Sequence, residues 1–389
     1  MGVQMNKTHE TLPEVAILLG RAERLSVHEI RATLVRSGHQ IDTLTVTSGV
    51  ALVKATPIPD ATWFASLGGS VKFGAVVGEP LTDERAMRSV LVEAIGADAT
   101  IGLSILGGKL SAGVVASGLK HDIDTLRRFV VSGDGSALSA AQSKGIRSDK
   151  GSEWLVLVDQ GSYRVIQIQA VQDIDELTRR DRELPVADAK RGMLPTKLAR
   201  MMVNIALGEQ SSASPVLLDP FCGTGRTLIE ALLVGARILG SDIDQAAIDA
   251  SRENLTWAAE TYHLTEYDAD QVLTSPIDKV GTLFSPGTID AIATEPFLGP
   301  PLVRLPTAPE RESLFRQLTP TYDALLHAGQ LLLKPGGRLV AVFPLIQNES
   351  LGAHFVDRFP RFGYHLLDSI PVARSDQLIA RDIVLLEKQ

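Results

Sequence analysis

The stretch VLLDPFCGTGRTLIEALLVGARILGSDID, residues 216–244, decides how the chain is read. It opens on a short apolar run ending in Asp219 and turns through Gly223-Thr224-Gly225. A helical segment follows, and a second apolar run leads to Ser241-Asp242-Ile243-Asp244. Strand, glycine turn, helix and strand in this order begin a βαβ unit. In open α/β sheets, ligands lie at the carboxyl ends of the strands, where the strand order reverses. Glycines at that place let the backbone approach a ligand with no Cβ in the way. The free N–H groups of the helix that follows face the same spot. A carboxylate at Asp242 suits a ribose diol, which has two hydroxyls to donate. Asp244, two residues on, fits a helix cap.

Three ligand classes compete for such a turn. A nicotinamide dinucleotide asks for GxGxxG, and the third glycine is missing here. A P-loop asks for GxxxxGK[ST], which is absent. S-adenosylmethionine has no phosphate. It needs close backbone approach for its amino-acid part and an acid for its ribose. Asp219 before the turn and Asp242 after the second strand fit that ligand best. The expected cofactor set is Asp219, Phe221, Gly223, Gly225, Asp242 and Ile243. Asp268 joins it from YDAD, read as the end of a third strand. Cys222 reads as a small buried filler.

Farther on, IDAIATEPFLGPPL (289–302) reads as a fourth strand ending in a carboxylate, a proline and an aromatic. An exocyclic amine on a base is a poor nucleophile because its lone pair is delocalised into the ring. Hydrogen bonds from the amine to a carboxylate and a backbone carbonyl localise that pair and orient it. Glu295 and the Pro296 carbonyl are the candidates for this work, and Phe297 is the candidate for stacking on the base.

The rest of the chain sets the frame. Its 389 residues predict two or three domains, and 44% hydrophobic with 22% charged residues is a globular composition. No apolar run is long enough to span a bilayer. The N-terminal MGVQMNKTHETLPEV lacks the apolar core of a signal peptide, and Asn6 stands where a myristoylation signal requires Ser or Thr. A cytoplasmic protein is expected. One cysteine and scattered histidines predict no disulfide and no metal site. The net charge of −8 belongs to the C-terminal half, where residues 201–389 hold 23 acids and 14 Lys and Arg. Residues 101–150 instead hold a basic excess (Lys109, Lys120, Arg127, Arg128, Lys144, Arg147, Lys150), open to phosphate contact or to plain solvation.

Four zones follow from the patterning: 13–65, 66–170, a linker at 171–200, and 201–389. EVAILLG (14–20) reads as a strand. SVHEIRATLVRSG (26–38) reads as a helix opened by a Ser26/Glu29 capping box. WLVLVDQGSYRVIQIQAVQ reads as two strands joined at Gln160-Gly161-Ser162. Alternating strands and helices after residue 214 predict a doubly wound, mainly parallel sheet. Arg179, Arg180 and Arg182 share their segment with acids, so local salt bridges are expected there. Lys197 and Arg200 are candidates for contact with cofactor or RNA. The loop GPPLVRLPTAPERE (299–312), with Arg304 and Arg311, reads as a basic wall over the substrate or as ordinary surface.

On these residues the C-terminal half resembles the class I S-adenosylmethionine-dependent methyltransferases, most of all the tRNA guanosine-10 N2-methyltransferases. DPFCGTGRTLIEALLVGARILGSDID resembles that family's cofactor motif, and residues 171–206 resemble its connector. AILLGRAERLSVHEIRATL is similar to its N-terminal ferredoxin-like domain. GGSVKFGAVVG and IGLSILG are similar to its THUMP domain, an RNA-binding module. The resemblance implies a Rossmann-like methyltransferase domain at 201–389, a ferredoxin-like domain at 13–65 and a THUMP-like α+β domain at 66–170. It also implies methyl transfer to the N2 amine of a guanosine in tRNA. One departure stands out. The usual motif is Asp or Asn, Pro, Pro, then Tyr or Phe, whereas this chain has Glu-Pro-Phe-Leu. A DNA base N-methyltransferase and a non-catalytic RNA-binding protein that keeps the fold are the alternative readings.

Overall fold

The computed structural model describes residues 13–389 apart from 97, 124–126, 134, 188–193, 210–213, 265–266 and 374–376. The reading of Asn6 and the middle of the connector therefore lie outside the described residues. The first half of the chain forms β1 (Glu14–Leu19), α1 (Glu23–Arg36), β2 (Gln40–Thr47), β3 (Val50–Thr56), α2 (Ala61–Phe64) and β4 (Ser70–Leu81). It continues with α3 (Glu84–Ile95), β5 (Thr100–Leu106), α4 (Ala112–Asp122), β6 (Arg128–Val131), α5 (Ala140–Ser148), β7 (Ser152–Asp159) and β8 (Ser162–Val171). The second half begins with α6 (Ile174–Arg182), α7 (Thr196–Leu207), β9 (Val216–Asp219), α8 (Arg226–Leu233), β10 (Arg237–Asp242) and α9 (Gln245–Tyr262). Then come β11 (Val272–Thr274), β12 (Ile289–Thr294), α10 (Ala308–Leu332), β13 (Leu333–Ile346), β14 (Glu349–Ser350), β15 (Tyr364–Val372) and β16 (Ala380–Lys388).

By its contacts the chain divides into two units. One comprises residues up to Gly20, Gly38–Ala65 and Ser70–Ile174; the other comprises Arg21–Ser37, Ser66–Gly69 and Asp175–Gln389. The first unit is built on one sheet in the order β2-β3-β1-β4-β8-β7-β5-β6. The zone boundary drawn between residues 65 and 66 runs through this sheet, because β1 pairs with both β3 and β4. The β7–β8 hairpin turns where expected: Gln160 and Gly161 both have positive φ, the requirement of the tight turn that matches strand twist. Met87, Leu91, Ile101, Leu103, Val115 and Val156 form the core under its helices. Lys72, a basic residue of β4, is buried and pairs with Glu153 of β7, and its Nζ donates to Ser143 Oγ at 2.9 Å. Its charge is spent inside the fold.

The second unit is a seven-strand sheet in the order β11-β10-β9-β12-β13-β16-β15, with the short β14 on β13. The strands from β11 to β13 run parallel, and β16 is antiparallel to both β13 and β15. This is the doubly wound pattern expected from the alternating runs, closed by an antiparallel edge. The order reverses between β9 and β12, so the crevice lies past Asp219 and Thr294.

Helix α1 shows a correction. It starts one turn earlier than the capping box implied, at Glu23, with Ala22 as its cap residue. Ser26 lies inside the helix and donates to the carbonyls of Ala22 and Gly69, each at 3.1 Å. Glu29 is fully buried and accepts from Gly68 N, Gly69 N and Asn204 Nδ2 at 2.7, 2.8 and 2.8 Å. Both side chains were taken by tertiary partners within this unit, which a local capping rule does not see. Burial still pushes the Glu29 carboxyl above its ordinary pKa.

The connector is pinned to the sheet's helices rather than only to itself. Arg179 pairs with Glu176 at 2.6 Å, as the local reading expected. Arg180 instead donates its Nε to Glu230 of α8 at 2.6 Å, and Arg200 of α7 does the same at the other oxygen, also at 2.6 Å. Arg200 is thus committed to a buried ion triad. Arg226 pairs with Asp181 and donates to Thr196 Oγ1 at 2.7 Å.

Candidate active site

Three strand ends build the site. At β9, Asp219 is 2% exposed and accepts from Phe221 N at 3.1 Å and from Thr294 Oγ1 at 2.6 Å. It braces the turn against the end of β12 instead of opening toward a ligand. Burial pushes its carboxyl up to about 7 against the hydrogen bonds from Thr294, Phe221 and Thr227. A raised folded pKa means that the folded chain holds its proton when the unfolded chain has lost it. Asp219 therefore contributes stability at pH 4 that is lost as the pH rises to about 7. The apoprotein's urea midpoint should fall between pH 5 and pH 8, and Asp219→Asn should flatten that slope. A midpoint that rises across this range would contradict the burial.

The turn itself is shaped by glycine. Gly223 has φ +50°, with open space where a Cβ would point. Gly225 has φ +86° and caps α8, and a Cβ there would meet Ser251 Oγ at 2.5 Å. Cys222, just before them, is buried, its thiol pushed up by burial, and its N–H donates to the carbonyl of Ser241 at 2.9 Å. Phe221 is half-buried against the apolar core.

At β10, Asp242 is half-buried. Its Oδ2 accepts from Gly223 N and its Oδ1 from Asp244 N, both at 3.0 Å. Each oxygen spends one lone pair on the backbone and keeps another for a diol. Ile243 beside it is 74% exposed, an apolar face on the rim. Asp244 caps α9 through Ala246 N at 2.9 Å, as expected. These features fit a nucleoside bearing a ribose diol.

Asp268 is corrected. The third strand, β11, begins after YDAD rather than within it. Asp268 is exposed and caps a short 3-10 turn through Asp270 N at 2.9 Å, ahead of the strand's amino end. Thr274 and Ser275 occupy the carboxyl end instead, with Ser275 N donating to the carbonyl of Asp242 at 2.9 Å. Three turn-forming polar residues before a three-residue strand concealed the register.

At β12, Glu295 follows the last strand residue, with Pro296 buried and Phe297 61% exposed. Leu298 packs into the apolar core. The shift of the aromatic by one position thus leaves a free ring face where a base can stack. Sequence reasoning missed the partner of Glu295. Arg381, in the first turn of β16's pairing with β13, donates Nε to Glu295 Oε1 at 2.6 Å and Nη2 to Oε2 at 3.4 Å. Burial raises the Glu295 carboxyl and Arg381 offsets part of that rise. The basic-wall reading of 299–312 does not survive. Arg304 is paired with Glu310 at 2.7 Å, and Arg311 is buried on Glu349 and Gln347 at 2.6 and 2.8 Å. Beside the paired Arg304 the loop exposes two apolar side chains, Val303 at 98% and Leu305 at 52%. Among the described residues no cluster of His, Cys, Asp and Glu is arranged to hold a metal, and no helix is long and apolar enough to cross a membrane.

Residues 186–344 match the sequence profile of the RMKL-like methyltransferase domain. A tRNA (guanine(10)-N2)-dimethyltransferase from Methanothermobacter thermautotrophicus is 36% identical over 142 residues, which cover 36% of this chain and 38% of that protein. The enzyme of the same name from Pyrococcus abyssi is 32% identical over 171 residues, covering 43% of this chain and 45% of its own. The chain thus spans less than half the length of these curated relatives. Among solved structures, TrmN from Thermus thermophilus is similar in fold, with a TM-score of 0.53 at 16% identity over 97% of this chain and 100% of that one.

Proposed function

We propose, from the match of residues 186–344 to the RMKL-like methyltransferase domain, that the protein moves a methyl group from S-adenosylmethionine to the exocyclic N2 amine of a guanosine in tRNA. The observation that carries this reading is the meeting of three strand ends. Glu295 and Phe297 end β12, beside the Asp219 turn of β9 and the Asp242 carboxylate of β10. Both relatives, named as tRNA (guanine(10)-N2)-dimethyltransferases, point to the same base.

Gly223 and Gly225 give the cofactor's amino-acid part its close approach, Asp242 holds its ribose, and Ile243 offers an apolar face to its ring. When bound, the cofactor supplies an electrophilic methyl group on a sulfonium. The protein's part is orientation. Glu295 accepts one N–H of the amine and the Pro296 carbonyl accepts the other, which concentrates the lone pair on nitrogen. Phe297 stacks on the flipped base. As the nitrogen forms its new N–C bond it releases one proton, and Glu295 is placed to accept it. The first unit supplies the RNA grip in this reading. Lys109, Lys120, Arg127, Arg128, Lys144, Arg147 and Lys150 are all exposed on it. The cytoplasm is the compartment that holds such a substrate.

Purified protein incubated with S-adenosylmethionine and unmodified tRNA transcript should yield N2-methylguanosine on digestion and mass spectrometry. Methylated duplex DNA with no product on tRNA would replace this reading. Asp242→Ala should weaken S-adenosylhomocysteine binding in calorimetry by at least about 100-fold. It removes two charge-assisted hydrogen bonds, worth about 1.5–3 kcal/mol each, and leaves Gly223 N without its partner. Unchanged affinity would remove Asp242 from the cofactor site.

A further inference from the structure

Glu295 does not stand alone at the crevice. The sheet brings it a guanidinium from a strand far along the chain. The register Pro344↔Arg381 places the start of β16 beside the end of β13. Because β16 runs antiparallel, its amino end lies at the same sheet edge as the carboxyl ends of the parallel strands. Arg381 is 9% exposed there, and its fork takes one position on each oxygen of Glu295, tightly at Oε1 and loosely at Oε2. The next residue, Asp382, is spent elsewhere, accepting from Ser350 and Ser369. The other titratable group facing Glu295 is Tyr322 of α10, whose hydroxyl donates to the Val342 carbonyl at 3.1 Å and is held protonated by burial and by Glu295 itself.

We propose that Arg381 is a positioning and specificity-determining residue, which orients Glu295 as an acceptor-only carboxylate and so selects a guanine edge. This rests on the methyl-transfer reading of the site. A carboxylate has about four lone-pair sites, and the Arg381 fork uses two. The remaining two can only accept. Guanine presents two adjacent donors, N1–H and the N2 amine. Adenine and cytosine present an amine beside a bare ring nitrogen, which an ionised carboxylate repels. A neutral carboxylic acid, by contrast, carries one donor and suits either pattern. The guanidinium therefore decides which bases are taken, without touching the base itself. Arg suits this work better than Lys because its planar fork fixes the carboxylate plane as well as its charge.

The test compares the full-length wild type, R381Q and R381K on tRNA transcripts across pH 5–9. It also follows the Glu295 carboxyl by carbon NMR of glutamate-labelled protein, with the resonance identified by its loss in Glu295→Gln. In R381Q the rising limb of kcat should move up by at least one pH unit. At pH 7, kcat should fall about 100-fold while KM for tRNA stays within about threefold, and R381K should recover part of the loss. The Glu295 resonance should titrate at higher pH in R381Q. An unmoved limb together with an unmoved resonance would overturn the proposal. Wild-type product on adenine N6 or cytosine N4 would overturn the selectivity. If R381Q does not fold, judged by circular dichroism and S-adenosylhomocysteine affinity, R381K decides. It keeps the charge and loses the fork, so wild-type kcat in R381K would overturn the orienting role. If wild type methylates no RNA, the proposed function fails, and the carboxyl titration still judges the Arg381–Glu295 coupling.

Discussion

Glu295→Ala is expected to lower kcat on tRNA by about a thousandfold and to leave S-adenosylhomocysteine affinity within about twofold. The size follows from what the side chain supplies. In the proposed mechanism it orients the amine, accepts its N–H as charge develops and receives the released proton; single groups doing such work contribute about 10²–10⁴. The selectivity of the effect follows from geometry. The proposed cofactor contacts lie at the ends of β9 and β10, whereas Glu295 follows β12 and has its own partner on β16. Truncation leaves Arg381 buried and unpaired, so Glu295→Gln is the companion variant. It fills the same space, keeps one acceptor and should lose about 10- to 100-fold. Steady-state kinetics beside calorimetry separates the outcomes. Near-normal turnover in Glu295→Ala would take the residue out of the reaction, and equal losses of turnover and cofactor affinity would make it structural.

The largest stability effect should come from Glu230→Ala. Glu230 is 1% exposed on α8, and each of its oxygens takes one guanidinium Nε, from Arg180 of the connector and Arg200 of α7. Removing it takes the close counterion from two buried guanidiniums, leaving Arg180 only Glu176 at 4.0 Å. Breaking a buried pair in this way costs about 3–5 kcal/mol. Urea denaturation at pH 7 should show that loss. Replacing all three residues together, Arg180→Met, Glu230→Leu and Arg200→Met, should cost far less, because no charge is then left unpaired. If Glu230→Ala costs under about 1 kcal/mol, the triad is wet and its part in docking the connector is small.

Much of this protein was legible along the chain. The run 216–244 announced strand, turn, helix, strand and an acid at the second strand's end in one continuous segment, because each of these needs only near neighbours. A strand needs apolar runs, the turn needs glycine at positive φ, and the helix needs a residue to open it. The end of β12 announced itself too, since Glu295 beside Pro296 has little packing value at the end of a buried strand. Local rules failed where a side chain had a better distant partner. Ser26 and Glu29 look like a capping box and serve instead the Gly68–Gly69 backbone and Asn204. Arg304 and Arg311 look like a basic surface and are bound to acids. Asp268 looks like a strand end and caps a turn before the strand.

By itself the sequence determined that this chain holds a doubly wound α/β sheet with a carboxylate, proline and aromatic at the end of its fourth parallel strand. Those properties follow from hydrophobic period and turn chemistry, which act over a few residues. Only the tertiary structure decided which groups share the crevice. Asp219 turned inward to brace β9 against Thr294, because burial left it no solvent and the Thr294 hydroxyl lay at 2.6 Å. Arg381 reached Glu295 across 86 positions, because an antiparallel last strand carries its first residues to the carboxyl edge of a parallel sheet. No spacing rule encodes that meeting; it is a consequence of strand direction.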